Sequence, residues 1–261
     1  MPTTLNSSDF VYHRKSVSLL SCLRPPRVIR LPFNLYAKDG YGVSVGEAIA
    51  TQFVSENTAI PVPQILDVVS SGPKHAYFPN LRSNFILSTG IPGTEFGLSG
   101  VSADSLSEAQ ASVFLRALPP PSYAISGVNG ASFLSYRIRD GELVGPFASQ
   151  EEFHAQHFCT PWEPLDDRVR AALTKRHSTQ YKICFTDGDI TPTNILVDEH
   201  LRPIVLVDWE CAAWMPEYWE YTRAIYIRQS YVGWYRLFKS IFPDYEDELE
   251  VEAEIWKHYV P

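Results

Sequence analysis

The chain has 261 residues, 45% of them hydrophobic, enough for one large domain or two small ones and too apolar for a disordered chain. Its net charge of −8 argues against a nucleic-acid or anionic-membrane surface and mildly favours cationic small substrates. Four widely spaced cysteines, no signal-peptide pattern and no apolar run near the ~20 residues that span a bilayer point to a cytoplasmic protein without disulfides, a zinc site or a membrane segment.

Arg27–Leu31 alternates as a strand does, Pro32–Asn34 turns, and Leu35–Lys38 returns, with Lys38 closing the second strand before Asp39-Gly40. Ser44 followed three residues later by Glu47 is a capping-box pattern, and Ala48, Ile49, Phe53 and Val54 continue at helical spacing to about Asn57. Residues 70–84 read as loop, Asn84–Ser88 as a strand, and Thr89–Gly93 as a break. Leu106–Leu118 has an amphipathic helical pattern that Pro119-Pro120-Pro121 stops. Tyr123–Phe147 is glycine-rich and irregular, but it lacks the strand–loop–helix order and Lys-Ser/Thr ending of a P-loop.

Helices are expected over Glu151–Gln156, capped by Ser149, and over Asp166–Lys175. His154 and His157 share a face of the first, yet no third metal ligand lies nearby. Tyr218–Phe238 reads as an aromatic helical stretch, and Asp244–Glu254 as an acidic amphipathic one.

Between these helices lies the stretch that carries chemistry, Ile183 to Glu210. Ile195-Leu196-Val197 and Ile204–Val207, joined by a polar turn at Asp198–Pro203, read as a hairpin. Asp189, Asn194 and Asp208 then sit around one strand pair. An Asp that orients an acceptor hydroxyl, with an Asn and a second Asp as hard oxygen ligands for Mg²⁺, is the layout of kinase-type phosphoryl transfer.

This stretch resembles the aminoglycoside phosphotransferase and choline kinase family, whose signature is His-Gly-Asp-x-x-x-x-Asn, a strand, a turn and Ile-Asp-(Trp/Phe)-Glu. Here it reads Asp187-Gly188-Asp189, then Asn194, then Val207-Asp208-Trp209-Glu210, and Cys211–Tyr221 looks like the family's fungal members. The resemblance covers most of the chain from about Arg27. It implies an α/β, two-lobed protein-kinase-like fold: residues 1–91 as a small sheet-plus-helix N-terminal lobe, and residues 92–261 as a mainly helical C-terminal lobe holding the hairpin. It also implies a small-molecule kinase that uses ATP and Mg²⁺ on a hydroxyl or amine acceptor, without a nucleic-acid or membrane partner. In that reading Asp189 is catalytic, and Asn194 and Asp208 hold the metal. Lys38 touches the nucleotide phosphates and Glu47 steadies Lys38, the alternative to closing the capping box. Backbone groups near Thr89 and Ile91 bond the adenine edge.

Two departures stand out: Asp187 replaces the family's His, and residues 1–39 hold no glycine for a phosphate lid. They support an alternative, a catalytically degenerate kinase-like protein that binds nucleotide or a partner. A second alternative takes Asp187-Gly188-Asp189-Ile190-Thr191 as the Asp-x-Asp-x-Thr motif of haloacid-dehalogenase-type phosphatases, with Asp187 as nucleophile. The cluster Trp209, Glu210, Trp214, Glu217, Tyr218, Trp219 and Glu220 fits either a cation cage or core packing. Neither the acceptor nor the oligomeric state is set by the sequence.

Overall fold

A computed structural model describes residues 27–70, 83–98, 116–121, 124–138, 143–157, 166–200, 202–227 and 232–258. The N-terminal part is an antiparallel sheet of four strands: β1 (Arg27–Leu31), β2 (Leu35–Tyr41), β3 (Ile65–Ser70) and β4 (Ser83–Thr89), in the order β1-β2-β4-β3. β1 is an edge strand, and its arginines Arg27 and Arg30 keep that edge charged although Val28 is exposed. Helix α1 (Val45–Asn57) follows β2 and lies on the sheet, with Ala48 packing against Val43 and Ile86.

Lys38 does not end its strand, which runs on to Tyr41; the residue sits mid-strand, opposite Val28 on one side and Ile86 on the other. Directly opposed residues of an antiparallel pair point to the same face. Because Ile86 faces α1, Lys38 faces it too.

The rest of the chain contains short strands and helices. β5 (Thr94–Glu95) leads in, and β6 (Phe133–Leu134) pairs with β7 (Leu143–Val144) inside the glycine-rich segment. Helices α2 (Gln150–His157) and α3 (Asp167–Ser178) follow; Ser149 Oγ accepts from Glu152 N as expected, and Asp166, expected inside the second helix, caps it by accepting from Arg168 N. β8 (Ile183–Thr186) pairs with β11 (Ala213–Pro216), and between them β9 (Ile195–Val197) and β10 (Pro203–Leu206) form the expected hairpin. In the aromatic stretch the described residues form α4 (Trp219–Ile227) and α5 (Val232–Ile241), and α6 (Glu246–His258) follows. Most of the expected loop at 70–84 and most of the Leu106–Leu118 helix lie outside the described residues. No described helix is long and apolar enough to cross a membrane.

The main core is aromatic. Phe153, Phe185, Trp209, Tyr218, Trp219 and Trp234 are buried together, so the tryptophans and Tyr218 of the 209–220 cluster are scaffold and not a cation cage. Phe53 of α1 packs at a tilt against Phe185 with ring centroids 4.9 Å apart, which ties the helix to the strand that leads into Asp187. A cavity of about 650 Å³, lined by Phe53, Asn57, Asn129, Phe147 and Trp214 among others, opens at the C-terminal end of α1. Ten residues of helix, roughly 15 Å, separate Asn57 from Glu47.

Candidate active site

Ser44 caps α1, but its Oγ accepts from Gly46 N and the Glu47 carboxylate does not reach back. Of the two readings of Glu47, the structure takes the pairing: Lys38 Nζ lies 2.7 Å from Glu47 Oε2. The same ammonium is 2.7 Å from Asp208 Oδ1 and 3.6 Å from Glu210 Oε2. Burial alone would lower the Lys38 pKa; the three carboxylates outweigh it and hold the group well above its ordinary value. Burial pushes Glu47 up to about 7 against the pull of Lys38. Glu210 is also raised, first by burial and then by Asp208, and the Tyr136 hydroxyl donates to its Oε1 at 2.8 Å.

The hairpin aligns the other two candidate ligands. Asn194 precedes β9 and Asp208 follows β10, and Val207 N donates to Asn194 O at 2.9 Å. Asn194 Nδ2 donates to the Asp189 carbonyl oxygen at 3.0 Å, which turns Oδ1 the other way. Asp208 has a left-handed backbone, φ 68° and ψ 56°, which costs a non-glycine residue roughly 1–2 kcal/mol and marks a constrained position. Carboxylate oxygens of Glu47, Asp208 and Glu210 all lie within 4.8 Å of one another, a set of hard donors around the Lys38 cation.

Asp189 stands at the mouth of the loop after β8. Arg223 of α4 donates to its Oδ1 at 2.7 Å, with the guanidinium side chain only 6% exposed. Sequence reasoning missed this arginine, because a partner 34 residues away in a helix leaves no local pattern.

Gly188, between the two aspartates, has φ +79°, and a Cβ there would meet the Cys211 carbonyl oxygen at 2.6 Å. Gly188→Ala is therefore expected to lower stability by more than the roughly 1–2 kcal/mol of the left-handed backbone alone, read as a lowered melting temperature.

Asp187 does not face the cation cluster. It is fully buried, its Oδ1 accepts from Asp189 N at 3.0 Å, and Glu220 Oε2 accepts from the backbone N–H groups of Asp187 and Gly188. An enclosed carboxyl cannot attack a substrate. β8, moreover, is in an antiparallel pair and does not start a doubly wound sheet, so the phosphatase reading fails.

His154 and His157 are buried rather than on an exposed face. His154 Nε2 is hydrogen-bonded to Tyr218 OH and His157 Nε2 to Glu252, which accounts for both without a metal.

At the end of β4, the Thr89 N–H donates to the Gln64 carbonyl at 2.9 Å, so that group is not a donor for an adenine edge; Ile91 follows in coil. Of the glycine-free residues 1–39, those before Arg27 lie outside the described residues, and the remainder form β1, the turn at Pro32–Asn34 and most of β2.

A lysine on a sheet strand paired to a helix glutamate, above an Asp…Asn…Asp hairpin in a helical half, defines a protein-kinase-like phosphotransferase architecture. The model of the phosphotransferase enzyme family, APH, matches residues 45–237, and the chain belongs to that family. No curated protein matches it in sequence. Among solved structures, aminoglycoside phosphotransferase APH(4)-Ia is similar with a TM-score of 0.53 at 15% identity, over 91% of this chain and 86% of that one. A thermostable mutant of the same enzyme, in a ternary complex with ADP and hygromycin B, gives 0.50 at 15% identity over the same shares.

Proposed function

We propose that this protein transfers a phosphoryl group from ATP, with Mg²⁺, to a hydroxyl or amine of a small molecule. One observation carries the reading: the Lys38 ammonium bridges Glu47 and Asp208, groups separated by most of the chain, beside the loop that presents Asp189. The ADP and hygromycin B held by a protein of the same fold support a nucleotide and a small acceptor. We take residues 1–91 as the nucleotide-side lobe and residues 92–261 as the acceptor-side lobe.

Asn194 Oδ1 and the Asp208 carboxylate are the oxygens that would hold Mg²⁺, and their chemistry fits a hard cation. When bound, the ion would spread the charge of the nucleotide phosphates. Lys38, kept cationic, would bind those phosphates, and Glu47 would hold its ammonium in place. The backbone near Thr89 and Ile91 would meet the adenine through groups other than the Thr89 N–H. Asp189 would accept a hydrogen bond from the acceptor hydroxyl and aim it, while Arg223 fixes the rotation of that carboxylate. The buried, unpaired thiols of Cys184 and Cys211 support a reducing, cytoplasmic setting.

The test is ADP release from Mg-ATP, screened over aminoglycosides, macrolides, amino alcohols, sugars and hydroxy amino acids, with product mass as readout. An acceptor-dependent gain of one phosphate is the expected result. Tight nucleotide binding without turnover on any acceptor would favour the degenerate reading instead.

A further inference from the structure

The Glu220 carboxylate reaches the backbone of Asp187 in the interior, and each of the two carboxyl groups has one oxygen accounted for and one not. Asp187 Oδ1 takes the Asp189 N–H; Glu220 Oε2 takes the Asp187 and Gly188 N–H groups at 2.8 and 3.2 Å. The remaining oxygens, Asp187 Oδ2 and Glu220 Oε1, are both buried without a hydrogen-bond donor. Buried acceptors are costly to leave unmet, and two like charges sharing a dry site cannot both persist.

We propose that one proton sits between Asp187 Oδ2 and Glu220 Oε1, and that the resulting acid–carboxylate pair is the positioning element that braces the Asp187–Asp189 turn. Between them the two side chains then hold three consecutive backbone N–H groups of the loop that carries the acceptor-facing Asp189. A family histidine at position 187 is thereby replaced by a carboxyl that works only when protonated or matched with a donor.

The surroundings favour one retained proton. Burial, then Glu220 and Asp189, push the Asp187 carboxyl well above the carboxylate range, and burial pushes Glu220 up to about 7. Asp208 adds to the repulsion on Asp187, and the Cys211 thiol, raised by burial, also faces it. Arg137 is the cation that opposes the rise at Glu220, while Arg223 is already bonded to Asp189.

The inference stands on the fold and is independent of any transfer activity, so its failure and that of the proposed function are separable. In the full chain, infrared spectra at neutral pH are expected to show a protonated-carboxyl carbonyl band that is lost in Asp187→Asn and in Glu220→Gln. Each single amide can donate to its partner; the double variant sets two NH₂ groups against each other and should melt below either single one.

Raised folded-state pKa values mean stability that is full below the unfolded value and lost as pH rises. The wild-type melting temperature should therefore fall, relative to Asp187→Asn, as pH rises from about 4.5 through about 7. Should a variant fail to fold, the wild-type band must still bleach as pH rises. Absence of that band, its retention in Asp187→Asn, parallel melting curves, or a double variant as stable as the singles would overturn the pair.

Discussion

Asp189→Ala is expected to lower phosphotransfer by roughly 10²–10⁴, the usual cost of removing one positioned acid–base or orienting group. The side chain sits 19% exposed at the mouth of its loop, and the backbone around it is held by other residues: Asn194 on its carbonyl and Asp187 on its N–H. The loop should thus keep its path when the carboxylate goes. The loss should appear in kcat with little change in the KM for nucleotide, because Asp189 would act on the acceptor and not on the phosphates.

Removing Asp189 also strands the Arg223 guanidinium, which keeps a partial partner in the Trp256 ring, 5.7 Å from its centroid. Asp189→Asn is the matching control, since it retains a hydrogen-bond acceptor for Arg223 and removes the charge. Asp189→Asn should melt close to wild type, and Asp189→Ala somewhat lower, because Arg223 is only 6% exposed while Asp189 itself is reached by solvent. Full activity in Asp189→Ala, measured as acceptor-dependent ADP release, would refute the assigned role.

Much of this site was legible because its chemistry depends on short-range order in the chain. The β9–β10 hairpin follows from two apolar runs around a polar turn, and with it come Asn194 and Asp208 at matching ends. The face of Lys38 was not legible. It depends on Ile86 opposite it and on how α1 lies across the sheet, and both are contacts between distant segments. Glu47 shows the limit most clearly. Its position three residues after Ser44 suits a capping box, and only the proximity of Lys38 decides that it pairs instead.

The residues behind the loop were invisible for the same reason. Arg137 and Arg223 lie in stretches with no motif of their own, Glu220 stood out only as part of the aromatic-acidic cluster, and all three acquire their roles only when α4 meets the loop after β8 and Arg137. The tryptophans near 209–219 gave a composition that a ligand cage and a core share, and burial separates the two.

Glu252→Ala is expected to be among the most destabilising single changes in the described chain, about 3–5 kcal/mol, the typical cost of removing one partner from a buried ion pair. Glu252 of α6 is fully buried between Arg137 and Arg176, whose side chains are 2% and 1% exposed. Arg176 Nη2 lies 2.7 Å from Glu252 Oε1, Arg137 Nη2 is also paired with Glu252, and His157 shares the same carboxylate. Burial pushes the His157 imidazole down, so it supplies no lasting charge, and one carboxylate answers two guanidinium groups.

Without Glu252 both cations remain in a dry interior, where Arg137 still donates to Trp219 O and Thr222 Oγ1 and Arg176 to the Tyr218 hydroxyl, all of them neutral acceptors. Those two arginines hold Glu252 well below the ordinary carboxylate range even against burial. Its contribution is therefore present above the unfolded value near 4.5 and is lost only as pH falls through the lower folded one. The deficit of Glu252→Ala should be full at neutral pH and shrink in strong acid.

At about 2–4 °C per kcal/mol for a protein of this size, the melting temperature should drop by on the order of 10 °C. Because Arg137 also donates to Trp219 O and Thr222 Oγ1 of α4, the helix that carries Glu220 and Arg223 loses an anchor. Glu252→Ala should then lose transfer activity together with stability, whereas Asp189→Asn loses activity alone. A Glu252→Ala protein that melts like wild type at neutral pH would show that this buried cluster does not hold the helical half together.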